Sequence, residues 1–258
     1  MKKRNDEIKA RLFSKGNIKL GHNTASWSVL YGDIEHDTPY GKVKGTCGGF
    51  CEHCGHCSGT GKLPPCYVAK SYVRRPDVVK GHARNTLAMR NDVDKCFADL
   101  DGQMSRKRKP FKWVRINQSG EIENEAQLRG WAGLAKKHKE TKFWLYTKNY
   151  EVATKLLLAG EIPQNMTILY SIWHEQGIEE YKMVKHLPNV KAFCYCDSNS
   201  DPVNGWGVEE YAERGIEIKT FCKAYDVKGK MNHDITCEKC EKCFRCSKAT
   251  KVVASYSH

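Results

Sequence analysis

The sequence predicts an α/β protein in which a parallel sheet lies between two cysteine-rich segments. From residue 111 to residue 221, short apolar runs alternate with amphipathic stretches. Strands separated by helical stretches of about 10–15 residues are typical of βα units around a parallel sheet. Ten of the 13 cysteines fall in two groups on either side of this region, at residues 47–66 and 222–246. These two observations indicate one α/β unit with metal-binding segments attached to it.

The chain divides into four segments. Residues 1–45 form an N-terminal segment with room for a strand or two near residues 19–29. Residues 46–70 form a loop rich in Cys, Gly and Pro, which has no helix or strand period and must take its shape from what it binds. Residues 71–221 contain the βα units, and residues 222–258 form a C-terminal cysteine module.

Hydrophobic periodicity places the helices and strands in order. A helical region covers residues 67–101, with Pro76 at a helix start, and a basic linker follows at residues 106–110. Strands are predicted at residues 111–116, 142–146, 166–172, 190–196 and 216–221, and helices between them at residues 123–138, 150–159, 178–186 and 208–214. An open doubly wound sheet and an incomplete βα barrel both fit this order. In either fold the binding site lies at the carboxyl ends of the strands.

The composition excludes a disordered chain and gives no sign of a membrane segment. Charged residues make up 28% and apolar residues 40% of the chain, and the mean hydropathy is −0.64. Apolar runs such as residues 156–159 are far shorter than the roughly 20 residues that cross a bilayer. No apolar stretch follows the charged start of the chain, so we expect no signal peptide, no membrane contact and a cytoplasmic location in a bacterial host. In that reducing compartment, clustered cysteines indicate metal binding or catalysis rather than disulfides.

The first cysteine cluster supports three interpretations. Its members are Cys47, Cys51, Cys54, Cys57 and Cys66. The first three have the Cys-x3-Cys-x2-Cys spacing of radical S-adenosylmethionine (SAM) enzymes, in which three thiolates hold a 4Fe–4S cluster and leave one iron open. Cys54 and Cys57, followed by Ser-Gly-Thr-Gly, instead match one unit of a DnaJ-type zinc module. The third interpretation is a closed 4Fe–4S or zinc site made by four of the five thiols. Iron–sulfur is favoured, with zinc as the alternative.

The second cluster has a cysteine at every third residue. Its members are Cys237, Cys240, Cys243 and Cys246. Short successive turns of this kind wrap four thiolates around a cubane, as in the bacterial ferredoxin run. In the ferredoxin run a proline usually follows the fourth cysteine, whereas Ser247 follows Cys246 here. The ligands of this site could therefore instead be three of these cysteines plus Cys222.

Several short segments along nearly the whole chain occur in a specific order. They are Asn-Ile-Lys-Leu-Gly at 17–21, Cys-Tyr-Val-Ala at 66–69, Arg-Ile-Asn-Gln-Ser-Gly-Glu at 115–121, Phe-Trp-Leu-Tyr-Thr-Lys at 143–148, and the run at 237–246 leading to Val-Val-Ala at 252–254. In this order they resemble the phage "gene product 88" family of mobile-element iron–sulfur proteins, which look like divergent radical SAM barrels. The resemblance implies that residues 71–221 form an incomplete parallel (βα) TIM-like barrel, with two 4Fe–4S clusters attached.

The resemblance also implies roles for individual residues. Cys66 would ligate the first cluster, with its partners among the other four cysteines there. Ser119, Gly120 and Glu121 occupy the place of the Gly-Gly-Glu turn that holds the amino group of SAM in radical SAM barrels. Lys148 and Ser171 would contact the carboxylate and ribose of SAM. Judged from the residues alone, Glu121 could equally be a charge at a helix N-terminus.

The charge of the chain gives a weaker indication of partners. The formal net charge of +13, from 43 Lys and Arg against 30 Asp and Glu, favours contact with nucleic acid or another polyanion. A solvated basic surface is the alternative. Two clusters of four thiolates each would lower the net charge to about +9, so part of the basic surplus would compensate the clusters.

Two functions follow as hypotheses. In the first, the protein is an enzyme that cleaves SAM reductively at an open iron and takes electrons from a donor such as a flavodoxin. In the second, it is a non-catalytic iron–sulfur or zinc protein with fully Cys-ligated sites, which binds nucleic acid or senses redox state. No individual catalytic residue is predicted.

Overall fold

Strands and helices alternate along most of the chain in the computed structural model. It describes residues 13–15, 19–50, 66–106, 110–172, 174–196, 206–223, 232, 234–244 and 251–256. The strands in these ranges are β1 (Ser14–Lys15), β2 (Thr24–Trp27), β3 (Glu35–Thr38), β4 (Gly41–Lys44), β5 (Trp113–Ile116), β6 (Lys142–Thr147), β7 (Met166–Ile172), β8 (Val190–Cys196) and β9 (Val252–Tyr256). The helices are α1 (Tyr67–Arg74), α2 (Pro76–Asn91), α3 (Val93–Ser105), α4 (Glu125–Lys137), α5 (Tyr150–Leu158), α6 (Glu175–Val184), α7 (Val208–Glu213) and α8 (Cys237–Cys240).

The main sheet has the strand order β1-β2-β5-β6-β7-β8-β9. Strand β1 pairs antiparallel with β2, and the six strands from β2 to β9 run parallel. This confirms the α/β class and the parallel sheet. The order never reverses, whereas a doubly wound sheet has a point of reversal. Because crossovers between parallel strands are right-handed, a sheet that grows in one direction has its connecting helices on one face.

The helix-covered face of the sheet forms the main core. Alternate strand residues such as Trp27, Ile116 and Leu145 lie in one buried cluster with apolar residues of α2 to α7. Cys194 and Cys196 are fully buried in this cluster, so they are core residues of the sheet. The period of two along each strand then directs the intervening residues to the other face.

That other face, called the open face below, is covered by the C-terminal cysteine module. Its members are Trp113, Arg115, Trp144, Tyr146, Leu169 and Phe193. Phe244 is buried against this face, and Cys237 and Cys243 pack beside it. The sheet thus positions the second cysteine cluster directly.

Helix boundaries follow local capping. Asn124 accepts a hydrogen bond of 3.0 Å from the backbone N–H of Gln127, so α4 begins at Glu125 rather than at residue 123. Asp92 caps α3 in the same way through Lys95. The region 67–101, predicted as helical, consists of three helices that are separated at Arg75 and Asp92, and the second of them begins at Pro76 as predicted.

Strand predictions agree most closely in the middle of the sheet. Strands β7 and β8 have the predicted bounds, while β5 starts two residues later and β6 ends one residue later than predicted. The strand predicted at residues 216–221 is wrong: within it only Phe221 forms a bridge, to Ala254. Strand β9, which the sequence interpretation missed, takes the place beside β8. The hairpin of β3 and β4 was also missed.

Strand order does not give the curvature of the sheet, so the incomplete TIM-like barrel of radical SAM type stays a prediction. No helix within the described ranges is long and apolar enough to cross a membrane.

Candidate metal centre

The structure separates the predicted metal ligands into two places. Cys47 and Cys66 lie near the carboxyl ends of β2 and β5, whereas the second group lies on the open face. The second group consists of Cys222, Cys237, Cys240 and Cys243. The remaining predicted ligands lie outside the described residues: Cys51, Cys54, Cys57 and Cys246.

The second group is built on a tight reversal of the chain. Helix α8 is one turn long, and Thr236 caps it by accepting a hydrogen bond of 3.3 Å from Lys239 N. The spacing of three residues places Cys237 and Cys240 on neighbouring positions of that turn. The helix ends at Glu241, which has a left-handed φ of 54° that few non-glycine residues adopt. This reversal returns the chain to the sheet, so Cys243 also faces it.

A loop before β2 anchors the start of the module. Cys237 N donates to Lys19 O at 2.7 Å. The carboxylate of Glu238 accepts hydrogen bonds from Asn23 N at 2.5 Å and from the Thr24 hydroxyl at 3.0 Å. Gly21 has a φ of +103°, and a Cβ there would lie 2.3 Å from Glu238 Cδ. A side chain at residue 21 would therefore displace Glu238.

Phe244 anchors the end of the module. Its ring stacks on Trp144 with centroids 4.4 Å apart, and Trp113 lies 5.8 Å away. Its carbonyl accepts a hydrogen bond of 3.1 Å from the Thr167 hydroxyl. The fully buried Lys191 donates to Lys242 O at 2.5 Å. Aromatic packing and two hydrogen bonds from the sheet thus hold the module in place.

The four thiols of the second group act on each other electrostatically. Burial raises the pKa of Cys243 to about 12, and the neighbouring thiols Cys222, Cys237 and Cys240 raise it further, while a hydrogen bond from Tyr146 opposes the change. Burial also raises the pKa of Cys237, against the positive charges of Lys19 and Arg115. Cys222 is brought there by its backbone N–H, which donates to Ala254 O at 2.7 Å beside β9.

Arg115 is an unusual residue for the middle of a sheet. It is 9% exposed, and its guanidinium carbon lies 3.8 Å from the centre of the Tyr146 ring. Its buried Nη1 atom has no hydrogen-bond partner among the described residues. A buried cation without a partner is unfavourable unless a negative charge lies close to it. A metal–thiolate centre would supply that charge, so the charge of Arg115 suits such a group.

The thiols do not form a preformed coordination sphere. In the described part of the chain, no three or more Cys, His, Asp or Glu side chains are placed so that they could hold a metal ion. The four thiols are electrostatic neighbours on a buried surface, and their assignment as ligands stays a prediction.

The first cysteine group lies beside the turn predicted to bind SAM. Cys47 Sγ accepts a hydrogen bond of 3.1 Å from Gly32 N, and both Cys47 and Cys66 pack against Tyr31, Val68 and Ala69. The preceding residue, Thr46, accepts a hydrogen bond of 2.8 Å from Glu121 N through its hydroxyl. Cys47, the first member of that group, and residues 119–121 are therefore brought together, although they are far apart in the sequence.

Gly120 makes the close approach of this turn to β2 feasible. It has a φ of +77°, and a Cβ there would lie 2.4 Å from Val29 Cγ2. Two hydrogen bonds join Ser119 to Val29 in the same place. The Ser119 hydroxyl donates to Val29 O at 2.8 Å, and the Ser119 carbonyl accepts from Val29 N at 3.1 Å. These contacts require a glycine at residue 120 irrespective of any ligand.

The carboxylate of Glu121 is engaged by the chain itself. It is 5% exposed and accepts hydrogen bonds from Ile122 N at 2.8 Å, the Thr147 hydroxyl at 2.7 Å and Lys148 N at 2.7 Å. Burial raises its pKa, although the charge of Lys148 and these hydrogen bonds oppose the change. Helix α4 begins at Glu125, so the interpretation of Glu121 as a charge in the first turn of that helix is wrong. Glu121 ties the loop after β5 to the end of β6.

The remaining predicted SAM contacts lie on neighbouring strands. Lys148 follows β6 directly, and Ser171 lies near the end of β7, on the side of the open face. Ser171 is 6% exposed, and its carbonyl accepts a hydrogen bond of 2.5 Å from the Tyr150 hydroxyl. Binding of SAM by these residues stays a prediction.

Sequence reasoning missed the polar residues of the open face. Three such residues lie within predicted strands and alternate with residues that face the main core: Arg115, Tyr146 and Lys191. A charged residue inside an apolar strand was a usable signal, because a period of two assigns it to the face opposite the core. The signal identifies the face but not the cysteine module that covers it.

Comparison with known proteins gives one match. None of the curated proteins and none of the solved structures matches the chain. The likeness to radical SAM barrels therefore has no support from these comparisons. The family model described as Gene product 88 matches residues 10–249, which is most of the chain. The chain therefore belongs to the Gene product 88 family, as the ordered segments predicted.

Proposed function

We propose that the protein is an iron–sulfur protein in which Cys222, Cys237, Cys240 and Cys243 ligate a 4Fe–4S cluster on the open face. The observation that supports this most directly is the group of four interacting thiols beside Arg115, whose buried Nη1 atom has no hydrogen-bond partner among the described residues. The repeat of a cysteine at every third residue favours a cubane over zinc. This set is one of the two that the sequence left open, and Cys246 is the other candidate for the fourth ligand.

The chain would contribute three things to such a centre. Helix α8 and the reversal at Glu241 present Cys237, Cys240 and Cys243 from one short segment. The edge contact with β9 presents Cys222 from another. The aromatic rings around Phe244 exclude water, and the bound cluster would supply one-electron transfer. A non-catalytic role in electron storage or redox sensing needs no further residues.

The test is metal and sulfide analysis of anaerobically purified protein, together with electron paramagnetic resonance (EPR) after reduction. Each 4Fe–4S cluster should bring about four iron and four sulfide ions. Cys243→Ser should remove about four of each, whereas Cys96→Ala should keep the wild-type content. Cys96 is the matched control because it is buried in the main core, away from the open face. Stoichiometric zinc without sulfide, or full iron retention in Cys243→Ser, would contradict the proposal.

A second candidate function is reductive SAM cleavage at the first cysteine group. Its support is the contact of Thr46, next to Cys47, with Glu121 at the carboxyl ends of the strands. On this proposal the sheet is an incomplete barrel and the open face is its interior. Because Glu121 already accepts three hydrogen bonds from the chain, its role would be to shape the turn rather than to bind the ligand with its carboxylate.

This second candidate needs its own measurement. The Cys237→Ser/Cys240→Ser double variant should lack the C-terminal cluster and leave only the signal of the first group. If that signal changes on addition of SAM, the first group has an open iron. An unchanged signal together with no methionine above the blank would reject this candidate and leave the first proposal standing. Nucleic acid and a flavodoxin-like donor, as partners, stay predictions of the charge and the resemblance.

A further inference from the structure

Among the described residues of the open face, Arg115 has no carboxylate as an ion-pair partner. Within the described residues it forms no ion pair, although it is almost completely buried in β5 between β2 and β6. The carboxylate of Glu238, in the cysteine module, is already engaged by Asn23 and Thr24. An arginine in this position is therefore unfavourable unless a negative charge forms close to it.

The neighbours of Arg115 connect it to the second cysteine group. Its guanidinium stacks on the Tyr146 ring at 3.8 Å and interacts electrostatically with the Cys237 thiol. Tyr146 extends the connection, because its hydroxyl donates a hydrogen bond to Cys243. The two side chains thus interact with opposite ends of the 237–243 segment from two adjacent strands.

Other positive groups near the module have different roles. Lys19 interacts with Cys237, but it belongs to the loop that anchors α8 through a backbone hydrogen bond. Lys191 is buried and uses its ammonium group to hold Lys242 O. Arg115 is set apart from them by its buried Nη1 atom, for which no partner lies within the described ranges.

We infer that Arg115 and Tyr146 set the reduction potential of the metal centre held by the second cysteine group. The inference rests on the proposed function. One-electron reduction by an external donor takes a 4Fe–4S core from 2+ to 1+ and adds one negative charge to the site. A buried positive charge and a hydrogen bond to a ligand sulfur both favour the more negative state, so both raise the potential. Arg115 and Tyr146 are positioning residues for this purpose and are not ligands.

The test is a redox titration of the anaerobic protein with dithionite, followed by EPR. Arg115→Gln should lower the midpoint potential enough to change the oxidised-to-reduced ratio at least about tenfold at a fixed potential, which is 59 mV for a one-electron couple. Tyr146→Phe should shift it in the same direction by less. Arg115→Lys should retain most of the wild-type potential because it keeps the charge. Arg129→Gln is the control, since it removes one positive charge from the surface of α4, where Arg129 pairs with Glu125 and Glu161.

The outcomes separate the inference from the proposed function. If the wild type binds no iron, the proposed function fails and the titration cannot be run. If the wild type binds a cluster and both Arg115→Gln and Tyr146→Phe keep its potential, the inference is overturned while the proposed function stands. If Arg115→Gln does not fold or does not bind the cluster, Tyr146→Phe is compared with Arg115→Lys. A midpoint potential that is lowered in Tyr146→Phe but not in Arg115→Lys supports the inference. An unchanged midpoint potential in Tyr146→Phe overturns it.

Discussion

The ring of Phe244 stacks on the ring of Trp144, with centroids 4.4 Å apart and an interplanar angle of 29°. This contact joins the C-terminal module to the middle of the sheet. Phe244 is 3% exposed, and it follows Cys243 directly, so the position of the last described cysteine depends on it. Packing of one aromatic residue thus decides where the thiols lie.

Replacement of Phe244 by Ala should destabilise the docked module. Loss of a buried phenylalanine typically costs about 3–5 kcal/mol, and the cavity would open beside Cys243. We expect a lower urea midpoint and a lower iron content in Phe244→Ala. Val73→Ala is the control, because Val73 is 82% exposed and should change stability by no more than about 0.5 kcal/mol. Equal stability and iron content in the wild type and Phe244→Ala would show that the module docks without this contact.

Gly120→Ala should be much more damaging than alanine at a helical glycine. A Cβ at residue 120 would lie 2.4 Å from Val29 Cγ2 and 2.5 Å from Thr46 Oγ1, on a backbone with positive φ. Strain and overpacking together should lower the free energy of unfolding by about 2–4 kcal/mol.

Gly133→Ala is the matched control for this substitution. Residue 133 lies in α4, and a Cβ there would meet nothing within 4 Å. Alanine should therefore stabilise the helix by up to about 1 kcal/mol. Thermal denaturation of the two variants checks both signs, and similar melting temperatures for them would contradict the close approach at residue 120.

The parts of the fold that the sequence predicted well are those with a strong local pattern. Strands β7 and β8 are mostly apolar runs between helices with a clear period, and both have the predicted bounds. The alternation of apolar and polar residues at 216–221 indicated a strand as well. Its place beside β8 is taken by β9, and this competition between two segments far apart in the chain has no local signal.

For the candidate site, too, the sequence predicted the part with a local pattern, which is the cysteine spacing. Cysteine spacing predicted the two groups, and in the structure Cys222 is an electrostatic neighbour of Cys237 and Cys243. Its role as a ligand stays a prediction. The roles of Arg115 and Tyr146 depend on which segment covers the open face. That depends on tertiary packing of the module, which spacing and composition do not determine.

On the proposed function, removal of the cluster should loosen the C-terminal module while the sheet persists. Helix α8 has four residues, which is too short for a helix to be stable by itself. A metal that binds only the folded module stabilises it by mass action. After iron is removed by a chelator, limited proteolysis should cut within residues 223–251 faster than in the loaded protein. Mass spectrometry locates the cuts, and identical cleavage patterns with and without iron would contradict coupling of metal to the fold of the module.

Glu121 should make the stability of the wild type depend on pH in an unusual direction. Burial raises its pKa in the folded state, so the folded protein binds this proton more tightly than the unfolded chain does. Its contribution to stability is then fully present below the ordinary pKa of a glutamate, about 4.3, and is lost as the pH rises through the raised value. A glutamine at this position does not titrate.

The free energy of unfolding of Glu121→Gln, relative to that of the wild type, should therefore increase as the pH rises from about 5.5 to about 8. The amide of the variant would place an N–H against the backbone N–H of Lys148, which now donates to Oε2 at 2.7 Å. This repulsion lowers the stability of the variant by the same amount at every pH. The informative quantity is therefore how the difference in the free energy of unfolding changes with pH, and not whether that difference is positive or negative at one pH. Urea denaturation at several pH values measures the slope. A slope of zero or of opposite sign would mean that the three hydrogen bonds hold Glu121 ionised despite its burial, and that the turn at residues 119–121 carries a fixed negative charge next to the first cysteine group.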